Sequence, residues 1–494
     1  MQCQIHDLPD EVLEYILSLI PPYTYLQRCM FVCKRWYKAT KNVIDHNNTH
    51  FQRSVAHGSL IWSSLPKKDC SSIISRRHSH SACTVGSAMY VFGGCTATCT
   101  TFNDLWKLDL DSRKWFRPMT TGNYPSPKAC ASMLNYKKFL ILFGGWSHPS
   151  PYPFYQQWKL FNELHLYSLE TNQWIAVNSN EMPPPVSAHS ASIHGNLMIV
   201  FGGITNGHST NDVWCLDLES YDWKKPITST LKPQPRYGQS QIALDDKHLL
   251  ILGGCTGPNA AINDVWLLVM EDPIWTWKKV QLSQSQASPT RIWCHQSCKV
   301  GNFIIVLNRS NQYHSVEMNL TSEKRTHSSY ASCSSSKRPT VSHGNSKDWN
   351  ITRHNSPISK PESQHLQLPP LDSIKIQPVI ESKAFKKTID NNSRRNRFEE
   401  IEIKLKSNEN SLTIYVLDIS KIICDCSASW VLSECEKSKG PDERILYSLV
   451  VGKEELIFFG GIKKEPSNFE GQAEVNNSQV YNDLYFINVP KYII

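Results

Sequence analysis

An all-β propeller of six four-stranded blades, preceded by a small all-α domain and split in its fifth blade by a long disordered insert, is the fold class the sequence predicts. Three observations carry it. An apolar run closed by two glycines recurs five times, a tryptophan follows nine residues after an Asn-acid motif in four repeats, and a basic, serine-rich stretch parts the two halves of one repeat. Fixed periods of this kind mark repeat architectures before any single residue is interpreted.

The runs are "YVFGGC" (90–95), "ILFGGW" (141–146), "IVFGGI" (199–204), "ILGGC" (251–255) and "IFFGGI" (457–462), and the first four glycine pairs fall 51, 58 and 51 residues apart. After each pair comes "NDLW" (103–106), "NELH" (162–165), "NDVW" (211–214), "NDVW" (263–266) or "NDLY" (482–485). Trp115, Trp174, Trp223 and Trp275 then stand nine residues beyond Trp106, His165, Trp214 and Trp266. Each unit therefore reads as four strands, the second unbroken in its apolar character and so buried on both faces. One four-stranded sheet cannot bury both faces, but repeats packed face to face around an axis can. With these motifs at roughly 50 residues per unit, the pattern resembles the kelch repeat of β-propellers.

Blade five begins with "RIWCHQSCKVGNFIIVLN", whose last strand lacks the glycine pair, and resumes at "SLTIYVLDISKI" with Trp430 as its fourth-strand tryptophan. Blade six, "RILYSLVV", "ELIFFGG" and "VYNDLYFINV", lacks a fourth strand. "SLIWSSLP" (59–66), carrying Trp62, supplies it from the N-terminal side, so the ring closes and no sheet edge stays open. The organisation expected is 1–46 for the helical domain, 58–308 and 411–494 for the propeller, and 309–410 for the insert. The insert is poor in aromatics and is read as disordered. Its "NSPIS", "KK" with "RRNR", and "LQLPPLDSIKI" segments are candidates for phosphorylation, nuclear entry and peptide docking, each weighed against a solvated linker.

The segment "LPDEVLEYILSLIPPYTYLQRCMFVCKRWY" (8–37) is a different object. Pro9 suits a first helical turn, Asp10 and Glu11 meet the positive end of the helix dipole, and Pro21-Pro22 stops the helix. Val12, Leu13, Ile16, Leu17 and Ile20 form one wide apolar face, and a second short helix carries Leu26, Met30 and Cys33. The pattern of Leu-Pro, two acids, Val-Leu, Ile-Leu and a later Val-Cys-Lys-Arg-Trp resembles the F-box. That resemblance implies a small helical bundle docking on the Skp adaptor of cullin-RING ubiquitin ligases, with Leu8, Pro9, Val12, Ile16 and Leu17 in the interface and Trp36 bracing the helices and touching it. "YTYLQRCMF" lacks the acid-plus-Leu start common before the second F-box helix. An F-box joined to a kelch propeller implies a non-catalytic receptor that captures a protein for ubiquitination and degradation; the alternative is a non-degradative scaffold.

In an antiparallel meander, residues just before strand one and just after the glycines share one face. Counting back 16 or 17 residues from each first glycine, or from Asn308, gives Arg77, Lys128, Val186, Arg236, Arg291 and Arg444. Five cations around one axis would focus a positive potential favouring an acidic or phosphorylated peptide, unless each pairs with a carboxylate of its own or a neighbouring blade. Trp146, Cys95 and Cys255 follow the glycines on the same face, and "WSHPSPYPFYQQW" (146–158) is a candidate contact loop.

Composition bounds the rest. Of the net charge of +8, six charges lie in 309–410, with 17 Lys and Arg against 11 Asp and Glu, which argues against a folded nucleic-acid-binding face. No signal peptide, membrane span, phosphate loop or Gly-x-Ser-x-Gly elbow is expected, so the 16 cysteines read as reduced and the protein as cytoplasmic, nuclear or both. Cys294 and Cys298 fall on a strand, too far apart for one ion, and Cys95 with Cys99 lacks a matched second pair, so neither a metal nor a cofactor is expected. The histidines of "RHSHS" read as packing and hydrogen-bonding groups.

Overall fold

Six blades surround one axis in a computed structural model that describes residues 5–65, 74–148, 158–179, 181–257, 260–283, 288–309, 411–431, 440–463 and 479–490. The first four contain Ser81–Val85, Ala88–Phe92, Leu105–Asp109 and Lys114–Phe116; Ser132–Tyr136, Phe139–Phe143, Leu164–Ser168 and Gln173–Val177; Ser190–His194, Leu197–Phe201, Val213–Asp217 and Trp223–Lys224; and Ser240–Ala243, His248–Leu252, Val265–Val269 and Thr276–Lys279. Blade five joins Cys298–Val300 and Phe303–Arg309 to Leu412–Asp418 and Ser427–Val431, across the long insert. Blade six takes Ser448–Val451, Glu455–Phe459 and Leu484–Asn488, and its outer strand is Ile61–Ser64, with Trp62 opposite Ile487. The ring therefore closes through one strand from the N-terminal side, as expected. Residues 310–410, with every motif assigned to the insert, lie outside the described residues, as do 149–157 of the aromatic loop.

The apolar second strands explain how the ring is held together. Ala88–Phe92 is buried along its whole length, and an apolar cluster fills each of the six gaps between neighbouring blades. Each second strand thus serves two gaps at once, which requires its two faces to be equally apolar. At the axis the blades are tied by a closed circuit of backbone hydrogen bonds of 2.7–3.1 Å. Cys130 donates to Ser79, Ala188 to Cys130, Gly238 to Ala188, Cys294 to Gly238, Leu446 to Cys294 and Ser79 to Leu446. All six residues have φ between 50° and 63°, five of them without being glycine. Such left-handed residues are tolerated only where the surroundings fix them, here by one donor and one acceptor apiece.

The Gly-Gly pairs let neighbouring blades meet. Gly253 has a φ of 65°, and a Cβ there would collide with the Ile292 carbonyl oxygen. In blade five, without the pair, the second and third strands pair in register out to Arg309 opposite Leu412 and reach seven residues each.

The fourth strand of blade four corrects one reading. Trp277, not Trp275, lies opposite Leu268, the place Trp115, Trp174, Trp223 and Trp430 hold opposite Leu108, Tyr167, Leu216 and Leu417. The turn before it is two residues longer, so the nine-residue count lands on the edge residue that bridges Thr228.

Among the described residues, three α-helices precede the ring: α1 (Asp10–Ser18), α2 (Thr24–Cys29) and α3 (Lys34–Ala56). Leu13, Leu17, Leu26, Ala39 and Val43 form their core. Helix α3 continues well past residue 46 and sends Phe51 and Val55 into the cluster between blades five and six. The helical domain and the propeller therefore share one helix rather than a linker. A second tie is polar: the Tyr23 hydroxyl donates to Glu455 Oε1 (2.5 Å), and Arg113 holds both Glu455 oxygens at 2.7 and 2.9 Å. Burial, and then the charge of Glu455, drives the Tyr23 hydroxyl well above the ordinary tyrosine range, which favours its role as donor. Tyr23→Phe is expected to lower stability by about 2 kcal/mol, because a hydrogen bond to a buried charge is lost; denaturant midpoints of the two chains check it.

Candidate functional site

The propeller has two ends that the chain treats differently. Tyr23 reaches the turn at Gly452, Gln52 lies against Gly301, and the Thr24 amide donates to Asp111, so the helices sit on turns opposite the Gly-Gly face. At this helical end the sequence-assigned residues separate. Val12 and Ile16 are exposed, Pro9 is exposed, and Leu8 is half-buried with its carbonyl accepting from Arg35, which also holds Asp10 at 2.7 Å. Trp36 packs half-buried against the helical core. Leu17 does not belong with the exposed set: its exposure is 0%, and it packs with Leu13 inside the bundle. The single apolar face of α1 is really two stripes. Leu13, Leu17 and Ile20 face inward; Val12, Tyr15, Ile16 and Leu19, at steps of three and four, face solvent. Tyr25, Phe31 and Val32 are exposed as well, Phe31 at 87%. The steps of the outer stripe were visible in the sequence, but Phe31 and Val32 lie in a turn with no periodicity to mark them.

At the Gly-Gly end, the cations do not form an open ring. Arg77 is fully buried, grips Asp104 at 2.7 and 2.9 Å, donates to the Gly93 carbonyl, and lies over the Phe102 ring. Arg236 repeats this with Asp264 (2.6 and 3.1 Å) and Gly253, and Arg444 pairs with Asp483 at 2.5 Å and stacks on Tyr481. Lys128 reaches Glu163 at 2.7 Å. Every acid is the one in the Asn-acid motif of the same blade. Blade two swaps a shorter cation for a longer acid and keeps the pair closed. Burial pushes Lys128 below the ordinary lysine range; it also tends to raise Asp104, but the hydrogen bonds and charge of Arg77 outweigh it and hold that carboxyl low. Trp106 and Trp266 donate their indole N–H to the same Asp side chains at 2.7 Å.

The focused positive potential expected from five cations is thus cancelled within the blades. Blade three has Val186 at this place, and its Asp212 turns to Lys225. In blade five the count misses by one. The second-glycine amides of blades one to four donate to Lys128, Val186, Arg236 and Ile292, so Ile292 takes the place assigned to Arg291 and is buried. Thr413, opposite Asn308, stands where an acid would be. Arg291 is exposed, one residue outward, its carbonyl accepting from Asn308 Nδ2.

Trp146 stands at this end but is buried, its ring tilted against that of Trp158 at 4.4 Å and its backbone bridged to Ala129. The motif Asn, unexplained by sequence alone, staples the loop entering the next blade: Asn211 donates to the Pro233 carbonyl (2.8 Å) and Asn482 to that of Ile74 (3.0 Å). His80 Nε2 meets Ser448 Oγ at 2.9 Å, a packing and hydrogen-bonding role. Among the described residues, no three His, Cys, Asp or Glu gather as metal ligands, and no helix is long and apolar enough to cross a membrane.

Comparison with known families fits both ends. Residues 5–48 match the F-box domain, and residues 77–277 match the model described as FBX42, beta-propeller domain. The chain is an F-box protein with a kelch-type propeller. Kelch domain-containing protein 3 of Homo sapiens is 26% identical over 267 residues, 50% of this chain and 66% of that one. Kelch domain-containing protein 2 of Bos taurus is 26% identical over 240 residues, 44% of this chain and 57% of its own length. Tip elongation aberrant protein 1 of Schizosaccharomyces pombe is 27% identical over 240 residues, 46% and 20%. The chain therefore spans between a fifth and just under two thirds of the length of these curated relatives.

Proposed function

We propose that this F-box/kelch protein is the substrate-recognition subunit of an SCF-type ubiquitin ligase, working in the cytoplasm, the nucleus or both. The F-box binds the Skp adaptor, and through it the cullin-RING catalytic machinery, while the Gly-Gly face of the propeller holds the target for ubiquitination and degradation. The observation that carries the reading is the set of exposed apolar side chains Val12, Ile16, Leu19, Tyr25, Phe31 and Val32 on the helical domain, at the end opposite the Gly-Gly face. A set of this kind on a folded domain marks a protein interface. The chain contributes no chemistry of its own; it acts by proximity and orientation, with the shared helix α3 and the Tyr23–Glu455–Arg113 tie fixing the F-box on the ring.

Capture of a purified Skp-type adaptor by the full chain tests this. Ile16→Ala with Phe31→Ala is expected to weaken capture at least about tenfold, as loss of buried interface anchors does, while leaving the propeller's thermal transition in place. No capture by the wild-type chain would remove the receptor reading and leave a scaffold, and equal capture by both chains would take the adaptor contact away from these side chains.

A further inference from the structure

The closed hydrogen-bond circuit fixes which residue of each blade occupies each level at the mouth of the axis. One level above the circuit stand His78, Ala129, Ser187, Tyr237, Trp293 and Ile445, and the post-glycine residues Cys95, Trp146, Ile204, Cys255 and Ile462 bridge or adjoin them. On the sector of blades five and six these are half-buried Trp293, Ile445 and Ile462, an apolar floor still open to solvent. Next comes the level of the neutralised cations. The level outside it holds Arg76, Pro127, Pro185, Pro235, Arg291 and Glu443, so uncharged prolines fill it in blades two to four. Arg76 and Arg291 are exposed there, in the two blades that flank blade six, and among the described residues neither meets a carboxylate. Glu443, between them, is engaged in an interaction of its own.

Charge at this face is therefore sorted by level. The inner cations are buried and paired, so they cannot be reached by a ligand. Two outer arginines remain exposed on either side of an uncharged, apolar floor. A guanidinium in this position is complementary to an oxyanion, which it binds by two parallel N–H donors. An apolar floor beside it favours a side chain that leaves water.

We propose that the blade five–six–one sector of the mouth is the substrate subsite. It takes an extended segment of a target protein in which an apolar side chain, set against Trp293, Ile445 and Ile462, adjoins an oxyanion held by Arg291 on one side of blade six or Arg76 on the other. This rests on the receptor reading for its biological meaning but is measured independently of the adaptor. The oxyanion is a carboxylate of Asp or Glu or the phosphoryl group of a modified serine, which present the same chemistry to the two arginines.

Fluorescence polarisation of the full chain with labelled synthetic 12-residue peptides tests the subsite. One set carries Leu or Phe beside Asp, Glu or phosphoserine; control sets carry Leu or Phe beside Lys, or the oxyanion beside Ala. The first set is expected to bind at least about tenfold more tightly than either control, which corresponds to about 1.4 kcal/mol. The order of the carboxylate and phosphoserine peptides identifies the source of the oxyanion. Arg76→Glu with Arg291→Glu is expected to remove the preference and flatten its dependence on salt, and Trp293→Ala with Ile462→Ala to remove the apolar contribution, with thermal transitions confirming folded chains. Binding that does not distinguish the sets, or that survives the double charge reversal, overturns the subsite. Adaptor capture measured on the same chains separates the two ideas: a chain that binds the peptides but not the adaptor keeps the subsite and loses the receptor reading.

Discussion

Arg236→Ala is expected to lower the stability of the propeller by about 3–5 kcal/mol, the cost of leaving one member of a buried ion pair without its partner. The Arg236 guanidinium has no solvent exposure, and four acceptors surround it: both oxygens of Asp264, and the carbonyls of Gly253 and Gln234. Removing it leaves Asp264, 19% exposed, facing only the Trp266 indole N–H, and leaves the Gly253 carbonyl unsatisfied where the chain turns out of the blade. Arg236→Lys recovers part of the loss, because an ammonium reaches one oxygen but not two; blade two shows the geometry that suits Lys, with the longer Glu163 as partner. Denaturant midpoints of the three chains check the order, wild type above Lys above Ala. An Arg236→Ala chain as stable as wild type would return this cation to the pool available for ligands.

The same pair shows where sequence reading stopped. Blade number, strand order, the split of blade five and the closing strand at Trp62 were all legible, because each follows from apolar runs and turn residues within a local window. The partners of Arg77, Arg236 and Arg444 were not. Their acids lie 27, 28 and 39 residues onward, across loops of unequal length, so no fixed spacing joins them, although each acid stands in a motif already singled out. Two other errors are errors of one or two residues. The count back from Asn308 lands on Arg291 rather than Ile292, because the level is defined by the backbone bond from Gly254, which no spacing reveals. Trp275 was set in the place of Trp277 because a longer turn kept the motif and broke the period. On the F-box, Leu17 and Ile16 are neighbours in sequence yet lie on opposite stripes, a distinction that needs the second and third helices in place.

Acid is expected to unfold the propeller through histidines that link its blades. His189 and His295 stand one residue beyond the axial circuit, fully inside the inter-blade packing, and burial pulls each down to about 4. His80 stands at the same level and is driven well below its ordinary value, first by burial and then by the charge of Arg77. His189 Nε2 meets Ser132 Oγ of the preceding blade at 3.0 Å, while its Nδ1 and that of His295 have no partner, so neither ring has an acceptor waiting for a second proton. The unfolded chain takes up a proton on each ring near pH 6.5, and the folded chain does not until about pH 4. Between those values the unfolded state binds more protons, so stability rises with pH and is lost as the pH falls, at about 1.4 kcal/mol per pH unit for each ring. Over the whole window the two rings together withdraw several kcal/mol, comparable with the total stability of many domains. Blade four supplies the control. Gln239 occupies the same level without a titrating group and makes the same inter-blade bond, its Nε2 donating to Ser190 Oγ at 3.0 Å. Denaturant midpoints between pH 4.5 and 7.5 should therefore show a steep slope in the wild type, lowered by about one proton equivalent in His189→Gln and by about two when His295→Gln is added. An unchanged slope in the double variant would place the acid sensitivity elsewhere in the ring.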